Sequence, residues 1–120
     1  MRSVTVGAHT DADTFAFALG TTGVNFTTVS GAAAGDHVVV NGGQLGNTLL
    51  SGSTTDATLA TYISSLGTLT KGDTYVGFNT SANDTFIVTD TASGHTGAIE
   101  LTGVAFQTST LANHVLTLHA

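Results

Sequence analysis

Residues 73–89 read Asp73-Thr74-Tyr75-Val76-Gly77-Phe78-Asn79-Thr80-Ser81-Ala82-Asn83-Asp84-Thr85-Phe86-Ile87-Val88-Thr89. Two runs rich in β-branched and aromatic residues, 73–78 and 84–89, flank a short stretch of small, mostly polar residues. That is the pattern of a β-hairpin with a loop of about five residues. The reading sets the class of the whole chain, because the same signature recurs on either side of it.

Upstream, Asp13-Thr14-Phe15-Ala16-Phe17-Ala18-Leu19 alternates, with Phe15, Phe17 and Leu19 on one face. Gly20 to Gly23 turns the chain, and Val24, Phe26 and Thr28 continue the period of two. His37-Val38-Val39-Val40 is the most β-prone quartet, closed by Asn41-Gly42-Gly43, and Ser3 to Val6 is a short first strand. Downstream, Thr91 to Gly97 reads as a turn region. Ala98 to Val104 and Val115 to Leu118 read as the last strands. The tripeptide Asp-Thr-aromatic opens three of these runs, at Asp13, Asp73 and Asp84, at irregular spacing. It marks strand starts, not an internal repeat.

One segment has helical period. Leu59, Tyr62, Ile63 and Leu66 follow i, i+3, i+4, i+7 spacing, Thr54-Thr55-Asp56 offers capping oxygens, and Gly67 stands where a glycine stops a helix. The spacing predicts a helix over about 55–66. The expected fold is mainly β, a sandwich or β-roll-like domain of about eight short strands with one helix, in a single domain spanning 1–120.

Composition narrows the setting. The 120 residues include two basic residues, Arg2 and Lys71, against eight acidic ones, for a net charge of −6. Counterion displacement from nucleic acid needs clustered Lys and Arg, so no nucleic-acid partner is expected. No apolar run approaches ~18 residues, so no membrane insertion by a helix is expected. Cysteine, proline and tryptophan are absent, which excludes disulfide, thiolate-zinc and cysteine-nucleophile chemistry. A hydrophobic share of 41% argues for a folded core. Threonine is in surplus, with 24 copies, and a surface of Thr, Ser, Asn and Gly stays soluble with few charges. This balance points outside the cell. Met1-Arg2-Ser3 leads into Val4-Thr5-Val6, not into a long apolar stretch. Export by a route other than a cleaved N-terminal signal is therefore expected, or residue 1 lies inside a longer protein. The three Asn-x-Ser/Thr sequons, at Asn25, Asn79 and Asn83, are what chance gives in so Thr-rich a chain.

Candidate chemistry is sparse. Asp11 and Asp13, near His9, put carboxylate oxygens at a strand mouth, and Asp73 and Asp84 do the same at two later strands; loop oxygens of this kind suit calcium. Asp11, Asp13, Asp73 and Asp84 are thus the candidate metal ligands, with calcium as the candidate cofactor, and turn-capping is the competing role for each. Asp84 and Asp90 bracket one strand, ~20 Å apart if extended, too far to share an ion. The histidines, His9, His37, His95, His114 and His119, show no zinc spacing. Glu100 alternates with Ile99 and Leu101 and is expected to face solvent. Gly35-Asp36-His37 is the nearest thing to a catalytic pair, but no Gly-x-Ser-x-Gly elbow accompanies it. The glycines of Gly42-Gly43-Gln44-Leu45-Gly46 lack the lysine of a phosphate loop. The chain is read as non-enzymatic.

Residues 56–104 carry a succession of motifs: a helix, then Gly72-Asp73 with a strand, then Asp84-Thr85-Phe86 with a strand, then a strand ending in Leu101-Thr102-Gly103. This succession resembles the C-terminal region of bacterial proteins exported by type I secretion, among them S-layer and other surface proteins with RTX calcium-binding repeats. The calcium nonapeptide itself is missing; Asn41-Gly42-Gly43-Gln44-Leu45-Gly46-Asn47-Thr48-Leu49 is a degenerate echo of it. The resemblance implies export without a cleaved N-terminal signal, a terminal segment such as Leu111 to Ala120 read by the secretion machinery, and an extracellular or cell-surface location.

The expected function is a non-enzymatic module of a secreted bacterial surface protein, serving assembly, adhesion or type I export, and forming homo-oligomers or joining other surface-protein domains. With no proline and almost no lysine, its edge strands are weakly protected against pairing with another chain. The alternative is a module binding carbohydrate or another small ligand, with Tyr62 or Tyr75 as the platform, or an accessory domain of a secreted hydrolase.

Overall fold

The computed structural model describes residues 2–5, 13–18, 23–41, 45, 48–67, 72–92 and 95–119, with backbone alone for 2–5, 17–18, 23–27, 40–41, 90–92 and 95–96. Among the described residues, ten strands and one helix run in the order β1 (Arg2–Thr5), β2 (Thr14–Ala18), β3 (Gly23–Ser30), β4 (His37–Asn41), β5 (Thr48–Ser53), α1 (Leu59–Leu66), β6 (Asp73–Asn79), β7 (Asp84–Ala92), β8 (His95–Thr102), β9 (Thr110–Ala112) and β10 (Val115–Thr117). They form a six-stranded sheet ordered β1-β3-β8-β7-β6-β5 and a four-stranded sheet ordered β2-β4-β10-β9. Both sheets are mixed: β1–β3, β3–β8, β5–β6 and β2–β4 are parallel, and the remaining pairs antiparallel. The protein is mainly β and sandwich-like.

The hairpin of 73–89 sits at the centre of this arrangement. β6 and β7 pair antiparallel from Thr74↔Thr89 to Asn79↔Asp84, and Asn83 takes the left-handed conformation (φ 56°) that lets the loop close. β7 then pairs with β8. Because side chains alternate, β7 sends Thr85, Ile87 and Thr89 to one face and Phe86 and Val88 to the other. The first face meets the small sheet. There Val29, Val76, Ile87, Ile99 and Leu101 of the large sheet pack with Val38, Leu116 and Leu118, together with Leu45 and Phe106. The second face meets α1, where Leu59 and Tyr62 cover Phe86, Val88 and Ala98. The order of layers is small sheet, large sheet, helix.

Threonine fills part of the core. Thr74, Thr85 and Thr89 are buried. Valine has the same shape, but a buried hydroxyl must be bonded. Thr74 and Thr89 lie opposite one another with their hydroxyls 3.2 Å apart. The Thr85 hydroxyl donates to the Val104 carbonyl at 2.9 Å and accepts the Phe106 amide at 2.8 Å. Thr85 thereby ties the segment after β8 into the space between the sheets.

Four departures from the sequence reading have local causes. The turn expected over Thr91 to Gly97 is shorter, because β7 runs on to Ala92 and β8 starts at His95, the two pairing through a register shift between Asp90 and Ala92. α1 begins at Leu59, a turn later than the capping oxygens of 54–56 suggest. Thr58 is the cap, its hydroxyl accepting from the Thr61 amide while the Thr61 hydroxyl accepts from the Thr58 amide. Thr54 and Asp56 bond to each other instead, the Thr54 hydroxyl donating to the Asp56 carboxylate at 2.9 Å. At its other end the helix stops at Gly67 (φ 71°), as expected. β5, Thr48–Ser53, and β9, Thr110–Ala112, lie where no strand is expected. Glu100 is half-buried rather than free in solvent, because it stands on the outer face opposite Phe86.

Candidate functional site

The outer face of the large sheet is only partly covered. α1 packs over β7 and β8 and sets Tyr62 over Gly77 of β6, leaving β5 open at the sheet edge. Between the helix and that edge runs a groove of about 560 Å³. Leu50, Gly52 and Tyr75 form its floor, and Tyr62, Ser65 and Leu66 its helical wall. Leu50 is 45% exposed, the one large hydrophobic residue among the described residues to stand so far out. Tyr62 lies flat on Phe86, ring centroids 5.3 Å apart, and over Gly77, where a side chain would occupy the space of its ring. Burial, then the nearby Asp56 carboxylate and Tyr75, push the Tyr62 phenol well above its ordinary value, so it stays neutral.

A second, polar groove of about 610 Å³ continues from the first, sharing Ser53, Thr54 and Ser65 and adding Thr55, Asp56, Asn79, Thr80 and Ser81. Its polar groups are largely engaged with one another. Asp56 accepts from Ser65 at 2.9 Å as well as from Thr54, and Asn79 donates to the Asp56 carbonyl at 2.9 Å while accepting from the Ser81 and Ala82 amides.

Among the described residues, β5 is the edge of the large sheet, bonded to β6 alone. The Thr48 amide donates to Gly72 and the Thr54 amide to Phe78, so residues 48, 50, 52 and 54 turn their backbone groups toward β6. The intervening residues, Leu49, Ser51 and Ser53, therefore turn theirs to the open side. The six residues Thr-Leu-Leu-Ser-Gly-Ser carry no charge and no proline.

Of the sequence-predicted calcium ligands, Asp13, Asp73 and Asp84 are described, each at the start of a different strand. Asp13 precedes β2 in the small sheet, and its amide donates to Asp36 at 2.9 Å. Asp73 opens β6 and Asp84 opens β7, at opposite ends of the antiparallel hairpin. Six residues of strand separate the two, roughly 20 Å. Asp11 and His9 lie outside the described residues, as do Gly42 to Gln44, Gly46 and Asn47 of the glycine-rich stretch. The structure does bring Asp84 and Glu100 together: burial, then the charge of Asp84 and a hydrogen bond with it, hold the Glu100 carboxyl above the usual range. Nothing in the sequence announced that pair, because it depends on the β7–β8 register.

Asp36 is buried, and its two carboxylate oxygens accept the Asp13 and Ala33 amides at 2.9 and 2.8 Å. His37 points its Nδ1 at the Thr117 hydroxyl, 3.1 Å away. Both therefore have partners that bind β2, β4 and β10 into one sheet. His114 Nδ1 lies 2.7 Å from the Leu45 carbonyl and so carries the proton there.

No protein-family model, curated protein or solved structure matches this chain. Among the described residues no helix is long and apolar enough to cross a membrane.

Proposed function

We propose that the chain is a non-enzymatic module of a secreted bacterial surface protein and that it works by assembly, joining copies of itself through strand pairing. The observation that carries this reading is the uncharged edge strand β5, with backbone groups turned outward beside an open apolar groove. Soluble monomers guard such edges with lysine, proline, a bulge or a covering loop. β5 has neither lysine nor proline. The absence of charge in β5 supports the same reading, because pairing there sets no like charges opposite one another. The resemblance of residues 56–104 to type I-secreted surface proteins supplies the extracellular setting.

Sedimentation velocity over a concentration series, with and without calcium, tests the proposal. Mass-action growth of a dimer or larger species is expected. A strictly monomeric protein at millimolar concentration in both conditions refutes it.

One observation favours a second reading, a small-ligand or carbohydrate module. The apolar groove holds two tyrosines and runs into a groove lined by hydroxyls and the Asn79 amide, which together offer a stacking face and hydrogen-bonding groups. Glycan binding on an array, weakened by Tyr75→Ala, would favour it over assembly.

A further inference from the structure

We infer that β5 is the interface itself and that its occupant is β5 of a second copy, paired antiparallel about a two-fold axis through Ser51. This inference rests on the assembly reading above and adds to it a residue-level register.

The register follows from which backbone groups face outward. In an antiparallel ladder, residues that turn their amide and carbonyl across the gap must meet residues doing the same. Leu49, Ser51 and Ser53 face outward, and among the described residues they have no ladder partner on that side. A two-fold axis at Ser51 sets Ser51 against Ser51 of the partner subunit and Leu49 against Ser53 of the partner subunit. All three outward positions are matched, and six hydrogen bonds form.

The side chains fit the same register. Leu50 falls opposite Gly52 of the partner subunit, and such non-hydrogen-bonded pairs bring side chains closest. Leu50 is the exposed knob, 45% accessible. Gly52 is the hole: a Cβ there would meet nothing within 4 Å. Each Leu50 would lie over the other copy's Gly52 and enter the groove walled by Tyr62 and Leu66. The two-fold repeats this contact, so a single chain supplies both halves. No charged residue is desolvated, since residues 48–53 are uncharged in a chain of net charge −6.

The helices leave room. α1 packs on β7 and β8 rather than over the edge. From β7 of one copy to β7 of the other is five strand spacings, roughly 24 Å, against a helix diameter of about 10 Å. The product is a continuous twelve-stranded sheet with both helices on one face.

Three variants test the register by sedimentation, with circular dichroism as the check on folding. Gly52→Val adds a β-branched side chain into open space in the monomer but collides with Leu50 of a second copy; it is expected to keep the wild-type spectrum and melting temperature and to raise the dimer dissociation constant more than tenfold. Ser51→Pro removes an outward amide without touching the bonds to β6, and it is expected to do the same. Ser51→Cys, in a chain without cysteine, places two thiols across the axis at a Cα separation of about 5.5 Å, within disulfide range; it is expected to cross-link on mild oxidation, where Thr80→Cys in the hairpin loop does not. If the wild type associates and folded Gly52→Val associates equally well, the Ser51-centred register is wrong while the assembly reading stands. If the wild type never associates, both fall.

Discussion

Gly77→Ala is the sharpest test of how the helix is seated. Gly77 lies on β6 directly opposite Phe86, beneath the ring of Tyr62. A Cβ at this position would fall 2.6 Å from the ring Cζ and 2.9 Å from the phenol oxygen, with Cε1 closer still. Ordinary contact begins near 3.4 Å, so the ring must withdraw by about 1 Å. It has little freedom to do so, because it stacks on the fully buried Phe86 and its own helix carries Leu59 into the same cluster. The helix must lift. Overpacking of this kind costs about 1–3 kcal/mol. Gly77 has an ordinary negative φ, so alanine also gains about 0.4–1 kcal/mol by restricting the unfolded chain. The steric loss wins, and a net destabilisation of about 1–2 kcal/mol is expected, visible in urea as a lower midpoint with unchanged slope. Gly52→Ala is the control in the dissociated monomer: it has the same unfolded-state gain with nothing within 4 Å of the new methyl, so at protein concentrations below association it should be neutral or stabilising. Tyr62→Leu supplies the second arm of a double-mutant cycle, since it should cost markedly less in the Gly77→Ala background than alone. A Gly77→Ala protein as stable as wild type, or a cycle additive within about 0.5 kcal/mol, would show that the helix is not held on the glycine surface as described.

Two further outcomes follow from the buried threonines and the acidic pair. Thr85→Val preserves shape but leaves the Phe106 amide and the Val104 carbonyl without their partner, so it should cost about 1–3 kcal/mol in chemical denaturation despite its greater apolarity; an unchanged midpoint would contradict the bonding described. Glu100 has its carboxyl raised by burial and by Asp84, so its charged form is the one the fold disfavours. The destabilising contribution is present at neutral pH and fades as the pH falls through the raised folded-state value toward the ordinary one. Glu100→Gln should therefore raise the melting temperature at pH 7, with the gain shrinking in acid; a gain that persists undiminished at low pH would rule out titration of Glu100 as its source.

Much of the fold was legible along the chain because it depends on local alternation. The Asp-Thr-aromatic starts placed the first strand-forming residues of β2, β6 and β7 correctly, and the stripe of Leu59, Tyr62, Ile63 and Leu66 gave α1 with its stop at Gly67. β5 was not legible. Thr-Leu-Leu-Ser-Gly-Ser has neither strict alternation nor a β-branched run, and it is a strand because β6 offers it a parallel ladder. β9 was missed for the same reason, its three residues being extended only against β10.

Composition by itself determined that the chain is β-rich, uncharged over most of its surface and without cysteine chemistry, since propensity and charge are properties of residues taken singly. Tertiary structure alone decided which strand became an edge and which glycine became a seat for a ring. It also decided that Asp84 and Glu100 would share a face while Asp73 and Asp84 would stand at opposite ends of a hairpin. Those outcomes depend on register and strand order, which arise from contacts between segments far apart in sequence, and no local pattern encodes a distance between them.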